Sequence, residues 1–355
     1  MVISAIRKAE DHLKEFIKLL YIFPAYKKLL KEYKKCAQRK IVLVGSPAHG
    51  NLGDQAIAIS ELQFIQDYKK EETVFEIPTP LYKTHRSYLK KHINADDLVI
   101  VSGGGWMGNL WIHNEIMIRN IIADYPSNKI IIFPQTLYYT KDAEGKRVAD
   151  ETKVYFQNHD NIYLSVRDAP SYHRAQELLG IDEKSRLLFC PDMVLYGALA
   201  RENTSERNKR VALICLRQDI EKAANLAGLE SVVESAGYIP QETTTVYRHL
   251  IKIRERKKVV TELVFQYSKA GFMITDRLHA MIFSLLAGIP CYVFNNGTGK
   301  VFGVASYLQN ANMPVKMLRD IGEISPETFD LSGKPYELSD GLREYFRQLG
   351  CLLNI

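Results

Sequence analysis

Residues 41–54 read IVLVGSPAHGNLGD, in which four apolar residues run directly into a loop with three glycines. The apolar run has the length and composition of a buried β-strand, and a helical pattern begins near Gln55. A strand that ends in such a loop before a helix is typical of α/β folds, in which helices cover a parallel sheet. We therefore expect a strand, a loop and a helix in this region.

The same order recurs along the chain, in apolar runs that end in glycine or polar loops. The runs of the first half are Leu98–Ser102, Lys129–Phe133, Ile162–Val166 and Leu187–Cys190, and those of the second half are Val211–Leu216, Phe272–Thr275 and Ile289–Phe294. Continuous apolar strands that alternate with helices indicate a parallel sheet covered on both faces. Because the pattern restarts after the charged stretch 201–210, the sequence predicts two Rossmann-like lobes.

The predicted organisation has four parts. They are a basic amphipathic helical arm (1–40), an N-terminal Rossmann-like domain (41–200), a C-terminal Rossmann-like domain (201–322) and a polar tail with a docking helix (323–355). In open α/β sheets, ligands bind beyond the carboxyl ends of the strands. The loops with chemically useful side chains all follow strands, so a cleft between the two domains is the expected site.

The net charge of +6 is concentrated in the arm. Residues 1–40 hold eleven Lys or Arg and four acidic residues, which gives +7 and leaves the remaining chain close to neutral. This distribution argues against a protein that binds nucleic acid over its whole surface. The arm has two interpretations: it lies on an anionic membrane surface, or it packs its apolar stripe on the body and keeps its lysines in water.

The expected location is the cytoplasm. The five cysteines form no Cys-x-x-Cys pair, and no apolar run reaches membrane-spanning length. Lys14 and Lys18 interrupt the apolar stretch that a signal peptide would need. If the arm does contact lipid, the protein is peripheral at the inner face of the cell membrane. Because HExxH, EF-hand and paired Cys/His spacings are absent, the sequence predicts no metal site.

Two glycine-rich loops of the first domain carry candidate binding residues. Asn51 and Asp54 stand at the start of a helix, where a carboxylate either caps the helix or accepts hydrogen bonds from sugar hydroxyls. Gly104 lies in a run of three glycines, which suits a close approach of the backbone to a ligand, and Asn109 follows it. Neither loop has the GxGxxG or the Walker A spacing.

Two other strand ends carry arginine. Arg167 can bind phosphate or carboxylate with its planar fork, or it can form a salt bridge with Asp168 or with another acid across the domain. Arg277 and His279 stand between a strand and a helix and can converge on one ligand at the start of that helix. A guanidinium, a helix N-terminus and an imidazole together suit an anionic substrate that requires proton transfer.

In this order, the loops resemble those of the polysaccharide pyruvyl transferase family. The segments that carry the resemblance are Gly50-Asn51-Leu52-Gly53-Asp54, Gly103–Gly105, Phe133-Pro134-Gln135-Thr136, Ser165–Asp168, Pro191-Asp192, Thr275–Ala280 and Gly288-Ile289-Pro290. The resemblance implies a two-domain fold similar to that of GT-B glycosyltransferases. It also implies transfer of pyruvate from phosphoenolpyruvate (PEP) to two hydroxyls of a sugar, which forms a cyclic ketal and releases phosphate.

The resemblance also assigns roles to residues. It implies that Arg167 and Arg277 bind PEP and that His279 corresponds to the histidine of the family's Arg-Leu-His segment. We hypothesise that His279 moves a proton and that His279 and Arg277 are catalytic. The candidates for substrate binding or loop organisation are Arg167, Lys300, Asn51, Asp54, Gly104, Asn109, Gln135 and Asn295. No cofactor is expected besides PEP as donor substrate. The implied acceptor is a sugar of a bacterial exopolysaccharide, capsule or cell-wall glycan, and the basic arm makes a lipid-linked acceptor attractive.

Two other functions fit the same pattern. A nucleotide-sugar glycosyltransferase of the GT-B type would bind a nucleotide diphosphate in its second domain. A non-catalytic protein that binds glycan or lipid would need no group for proton transfer. The donor that protects the protein against heat, PEP or a nucleotide sugar, distinguishes the two enzymes, and phosphate release from PEP distinguishes the family's enzyme from the binding protein.

Overall fold

Two parallel sheets with helices on both faces form the core of the chain. The computed structural model describes residues 27–36, 38–181, 186–200, 207–222 and 225–354. The architecture confirms the predicted pair of Rossmann-like lobes. The part of the predicted arm before residue 27 lies outside the described residues.

The first lobe is built on seven strands. They are β1 (Lys40–Ser46), β2 (Thr73–Pro78), β3 (Leu98–Val101), β4 (Gly104–Met107), β5 (Ile130–Leu137), β6 (Ile162–Val166) and β7 (Leu187–Phe189). They pair in parallel in the order β2-β1-β3-β5-β6-β7, and β4 extends the pairing of β5. Ile41 and Leu43 enter one hydrophobic cluster, and Val42 and Val44 enter another, because successive side chains of a strand point to opposite faces.

Helices cover both faces of this sheet. They are α1 (27–35), α2 (Leu52–Tyr68), α3 (Thr79–His92), α4 (Ile112–Asp124), α5 (Ala143–Gln157) and α6 (Ala169–Leu179). In α1, which closes the predicted arm, Leu30 and Tyr33 are buried, and the Tyr33 hydroxyl donates to Asp97 at 2.6 Å. This end of the arm therefore packs on the first lobe.

The second lobe is smaller. Its strands are β8 (Asn208–Cys215), β9 (Ile239–Glu242), β10 (Ala270–Thr275), β11 (Cys291–Val293) and β12 (Val315–Met317), in the parallel order β12-β11-β10-β8-β9. Its helices are α7 (Leu229–Ser235), α8 (Ile253–Tyr267), α9 (Leu278–Leu286) and α10 (Lys300–Asn310). The apolar patterns gave no sign of β2, β9 and β12. These strands are partly exposed at sheet positions away from the centre, and so lack a continuous apolar run.

The lobes share one hydrophobic cluster, to which β1, α2, α8 and α9 all contribute. Helix α2 packs against α8 and α9 as well as against its own sheet. The final helix, α11 (Asp340–Leu353), returns to the first lobe, where Phe346 contacts Phe64. Among the described helices, none has the length and hydropathy needed to cross a membrane. The shared cluster holds the carboxyl ends of the strands of both sheets around one cleft.

Candidate active site

Arg167 is the basic residue that the first lobe supplies to this cleft. It follows β6 and is almost completely buried. Its Nη1 donates to Oδ2 of Asp192 at 2.5 Å, and its Nε donates to Oγ1 of Thr136 at 3.0 Å. Asp168 does not pair with Arg167 but caps α6 through the amide of Ser171. Of the alternatives that the sequence left open, the structure shows the salt bridge of Arg167 to a more distant acid, Asp192. The remaining nitrogen, Nη2 of Arg167, points towards Gly105.

His279 approaches the same acid from the second lobe. It lies in the first turn of α9, and its Nε2 is 3.4 Å from Oδ2 of Asp192. Burial alone would raise the pKa of Asp192, but the neighbouring guanidinium of Arg167, together with the His279 side chain, lowers it well below its usual range. Asp192 is therefore an ionised carboxylate between a guanidinium of one lobe and an imidazole of the other.

A second buried carboxylate, that of Glu221, organises the opposite side of the cleft. It accepts hydrogen bonds from Nδ2 of Asn296 (2.8 Å) and from Nε1 of Trp111 (3.2 Å), and it pairs with Nζ of Lys300 (2.6 Å) and Nη2 of Arg217 (3.2 Å). Burial raises the pKa of Glu221, and the charges of Lys300 and Arg217 outweigh that effect and lower it. Because Trp111 belongs to the first lobe, Glu221 also joins the two lobes.

Arg277 is held less tightly than Arg167 and Arg217. Its Nε donates to the carbonyl of Leu216 at 3.3 Å, and its Nη2 is 3.9 Å from Oδ2 of Asp219. Asp219 is engaged mainly by Arg217, through hydrogen bonds of 2.9 and 3.0 Å. Of these three guanidinium groups, that of Arg277 is therefore the most available for an added anion. Arg277 is connected to Glu221 through Asp219 and Arg217. We call these four residues, together with Arg167, Asp192, His279 and Lys300, the charged cluster.

Gly105 marks the point where the two lobes bring positive charge together. A β-carbon at Gly105 would lie 2.7 Å from Nη2 of Arg167 and 3.0 Å from Nζ of Lys300. Burial lowers the pKa of Lys300, and the like charges of Arg217 and Arg167 act in the same direction, whereas Glu221 raises it. Two buried cations thus approach the half-buried backbone of Gly105 from opposite lobes, an arrangement whose charge can attract a small anion.

The other predicted residues organise the loops around the cluster. Asn51 caps α2 through the amide of Gly53, while Asp54 lies 3.6 Å from His49. The side chain of Asn109 exchanges hydrogen bonds with Thr140. Because the amide of Leu52 donates to the carbonyl of Thr245, the first two amides of α2 are already used. No described contact joins these side chains to the cluster.

Three more predicted residues shape the backbone. Gly104 has a φ of +147°, and its neighbour Trp106 occupies the space that a β-carbon would need. Gln135 is buried in β5 and donates to the carbonyl of Ser102 at 2.8 Å. Asn295 accepts from the amide of Phe302 at 3.3 Å, which fixes the loop before α10. The structure thus gathers Arg167, Arg277, His279 and Lys300 and leaves the other candidates as supports.

Most of the chain matches a known protein family. Residues 51–298 match the model described as polysaccharide pyruvyl transferase. The chain belongs to the polysaccharide pyruvyl transferase family. This confirms the resemblance found in the sequence, and it makes the chain a transferase whose general activity is the pyruvylation of polysaccharide.

Relatives of this pyruvyl transferase include proteins of bacteria and yeast. General stress protein 30 of Bacillus subtilis is 31% identical over 268 residues, which cover 74% of this chain and 76% of that protein. Pyruvyl transferase 1 of Schizosaccharomyces pombe is 27% identical over 282 residues, 74% of this chain and 68% of that one. The solved structure of KP1_0663 from Klebsiella pneumoniae covers 84% of this chain and 98% of its own at 17% identity, with a TM-score of 0.56, and supports the fold alone.

Four charged residues of this pyruvyl transferase cleft were not among the candidates from the sequence: Asp192, Arg217, Asp219 and Glu221. Asp192 appeared there only within the Pro191-Asp192 segment, although it follows β7, and Arg217 follows β8. Both positions obey the rule that ligand groups follow parallel strands, which could have found them. Glu221 lies in an irregular loop, and no periodicity or motif indicates it.

Proposed function

We propose that this pyruvyl transferase moves the pyruvyl unit of PEP onto two hydroxyls of one sugar, forms a cyclic ketal and releases phosphate. The acceptor is a sugar of a bacterial exopolysaccharide, capsule or cell-wall glycan precursor. The observation that supports a PEP donor is the convergence of Nη2 of Arg167 and Nζ of Lys300, from opposite lobes, on Gly105, which has no side chain. Family membership supports pyruvyl transfer to polysaccharide.

The charge of the cluster suits a small anion with several negative charges. Arg167, Arg217, Arg277 and Lys300 are balanced in part by the carboxylates of Asp192, Asp219 and Glu221. These carboxylates hold the cations in place before substrate binds, so little reorganisation is needed when an anion enters. In our proposal, Nη2 of Arg167, Lys300 and Arg277 bind the phosphate and carboxylate of PEP.

The reaction needs proton transfers that balance. Two hydroxyls each lose a proton; one proton ends on the methylene carbon of PEP, which becomes a methyl group, and the other leaves with the phosphate. The two hydroxyl oxygens bond to the central carbon of the pyruvyl unit as its bond to the phosphate oxygen breaks. In our proposal His279, whose Nε2 faces Asp192 in the same cluster, shuttles one of these protons.

Incubation with PEP and a panel of glycosides, followed by mass spectrometry and a phosphate assay, tests this function. We expect phosphate release that depends on the acceptor, together with a product heavier than the acceptor by the mass of pyruvate minus one water. An enolpyruvyl ether would have the same mass, so proton NMR assigns the product: a ketal shows a methyl signal, whereas an enolpyruvyl ether keeps its double bond and shows vinylic protons. Nucleotide sugars serve as the competing donors, and glycosyl transfer from them without turnover of PEP would refute the proposal.

Replacement of His279 tests its part in catalysis. His279→Ala should lower kcat by at least about 10²-fold, because a positioned acid–base group contributes on the order of 10²–10⁴-fold. His173→Ala, which removes an exposed imidazole of α6, is the matched control and should keep its activity. Steady-state kinetics with PEP and the accepted glycoside give the comparison. Near-normal turnover of His279→Ala would remove the imidazole from the chemistry.

We also propose a cytoplasmic location at the inner face of the membrane, where a lipid-linked acceptor would be reached. The basic arm supports this, since residues 1–40 carry a net charge of +7. Deletion of residues 1–25 should reduce co-sedimentation with anionic vesicles and leave binding to neutral vesicles at its low baseline. Unchanged sedimentation with anionic vesicles would contradict the membrane contact without bearing on the transfer reaction.

A further inference from the structure

We infer that Asp192 is a positioning residue that holds the Nε2–H tautomer of His279, so that Nδ1 is the nitrogen left to exchange a proton with substrate. The part of this inference that concerns substrate rests on the proposed function, whereas the tautomer is a property of the protein alone.

The first support is the burial and orientation of the pair. Nε2 of His279 is buried and forms no well-aligned hydrogen bond with any described residue; the polar atom that faces it is Oδ2 of Asp192, at 3.4 Å. The Asp192 carboxylate is fully buried, and its Oδ1 accepts from the amide of Val194 at 3.0 Å. Catalytic contacts of this length often shorten when substrate binds. The geometry therefore directs Nε2 towards one buried acid.

The second support is the charge of that acid. Arg167 donates to the same Oδ2, and its charge helps to lower the pKa of Asp192 well below the usual range despite burial. An ionised carboxylate can only accept hydrogen bonds, and a neutral imidazole has one N–H donor and one acceptor. The nitrogen that faces Asp192 must therefore carry the hydrogen, which leaves Nδ1 as the acceptor.

The third support comes from the other side of the ring. Nδ1 is the ring atom closest to the position that a β-carbon on Gly53, the second residue of α2, would occupy. The positive end of a helix dipole disfavours further positive charge beside it, so it favours an Nδ1 without a proton. Asp192 on one side and the start of α2 on the other thus select the same tautomer.

This arrangement couples the two halves of the proposed reaction. Oδ2 of Asp192 touches Nη1 of Arg167, whose Nη2 points towards Gly105, and also faces Nε2 of His279. One oxygen atom therefore fixes both the guanidinium proposed to bind PEP and the imidazole proposed to move the proton. A shift of this oxygen would misplace both groups at once.

The test is an NMR measurement of the imidazole nitrogens in the full chain labelled with ¹⁵N-histidine. His279→Gln identifies the resonances of His279, and a pH titration locates the range in which the ring is neutral. We expect the pattern of the Nε2–H tautomer in that range. The Nδ1–H pattern, an average of both tautomers, or a ring that stays doubly protonated would each overturn the inference, whether or not PEP proves to be the donor.

Two variants extend the test to function. Asp192→Asn keeps the shape but removes the charge, so the tautomers should mix and kcat should fall by at least about 10²-fold. Thr136→Val removes the other partner of Arg167 without touching the ring, and it should weaken PEP binding while the tautomer of His279 stays unchanged. A pure Nε2–H pattern in Asp192→Asn would refute the role of the carboxylate. If Asp192→Asn does not fold, the measurement on the unaltered chain still decides.

Discussion

At the scale of single residues, Gly53 controls the place of His279. A β-carbon at Gly53 would overlap the imidazole, although Gly53 lies in the first turn of α2 and its φ is not in the left-handed region. The backbone itself therefore accepts alanine, which would even favour the helix. What excludes alanine is the ring of the other lobe, so the glycine is needed for the site and not for the helix.

We predict that Gly53→Ala lowers kcat by about 10²-fold, because a displacement of a catalytic group by about 1 Å has an effect of this size. Gly341→Ala is the matched control: it lies in the first turn of α11, and its β-carbon would meet no atom within 4 Å. The control should keep full activity and gain up to about 1 kcal/mol in the free energy of unfolding. Full activity of Gly53→Ala would show that the ring is not fixed by this contact.

Much of the site could be predicted from residue type and position. Arg167, Arg277, His279 and Lys300 all follow strands, and the structure gathers them in one cleft because the carboxyl ends of parallel strands meet at one edge. The partner of each charge could not be predicted in this way. Asp192 and Glu221 find their cations across the two lobes, and such contacts depend on the packing of the lobes rather than on any local pattern.

At the scale of elements, Glu61 joins helix α2 to the glycine loop. Its carboxyl group lies 2.6 Å from the amide nitrogen of Gly103, which donates to it, and 2.7 Å from Oγ of Ser102, and it is fully buried. Burial raises the pKa of Glu61 from 4.5 to about 8, although these two hydrogen bonds lower it. The loop that carries Gly105 is therefore held by a carboxyl group that keeps its proton in the folded chain at neutral pH.

The raised pKa predicts how stability changes with pH. Between pH 4.5 and about 8, the folded chain holds a proton on Glu61 that the unfolded chain has lost, so the free energy of unfolding decreases as the pH rises. The slope from this group is at most about 1.4 kcal/mol per pH unit and vanishes above the folded pKa. Glu61→Gln should abolish this slope in denaturation curves measured across the range. Glu71→Gln, an exposed control, should show the same change of the free energy of unfolding with pH as the unaltered chain. If Glu61→Gln also showed that change, the assignment to Glu61 would be refuted.

Element types were predictable where burial is complete. Strands β1, β3 and β6 are fully or nearly fully buried, and their continuous apolar runs predicted them correctly. The partly exposed β2 and β9 contain Glu76 and Gln241, which broke the run. Strand β4 consists mostly of residues read as a glycine loop, and it forms only because β5 supplies the pairing. Tertiary contacts decide such strands, since their local preference is weak.

At the scale of the whole molecule, an ion pair reinforces the shared hydrophobic cluster. Arg256 of α8 binds Glu76 of β2 through two hydrogen bonds, of 2.6 and 2.5 Å, at a nearly buried site between the lobes. Removal of one partner leaves an uncompensated charge, so Arg256→Ala should lower the free energy of unfolding by about 3–5 kcal/mol. Arg254→Ala on the same helix removes an exposed pair with Glu255 and should cost no more than about 1 kcal/mol. Similar losses in both variants, measured by urea denaturation, would contradict the difference in burial.

The shared cluster further predicts that the two lobes unfold together. Side chains of β1 and α2 in the first lobe and of α8 and α9 in the second belong to one cluster, so neither lobe can open without exposing the apolar surface of the other. The two tryptophans, Trp106 and Trp111, both lie in the first lobe, so their fluorescence reports on that lobe while far-ultraviolet circular dichroism reports on both. Coincident urea transitions by the two probes are the expected result. A fluorescence transition displaced from the dichroism transition would show that the lobes are separate folding units, and the cleft would then owe its geometry to the contacts at Asp192 and Glu221 rather than to a common core.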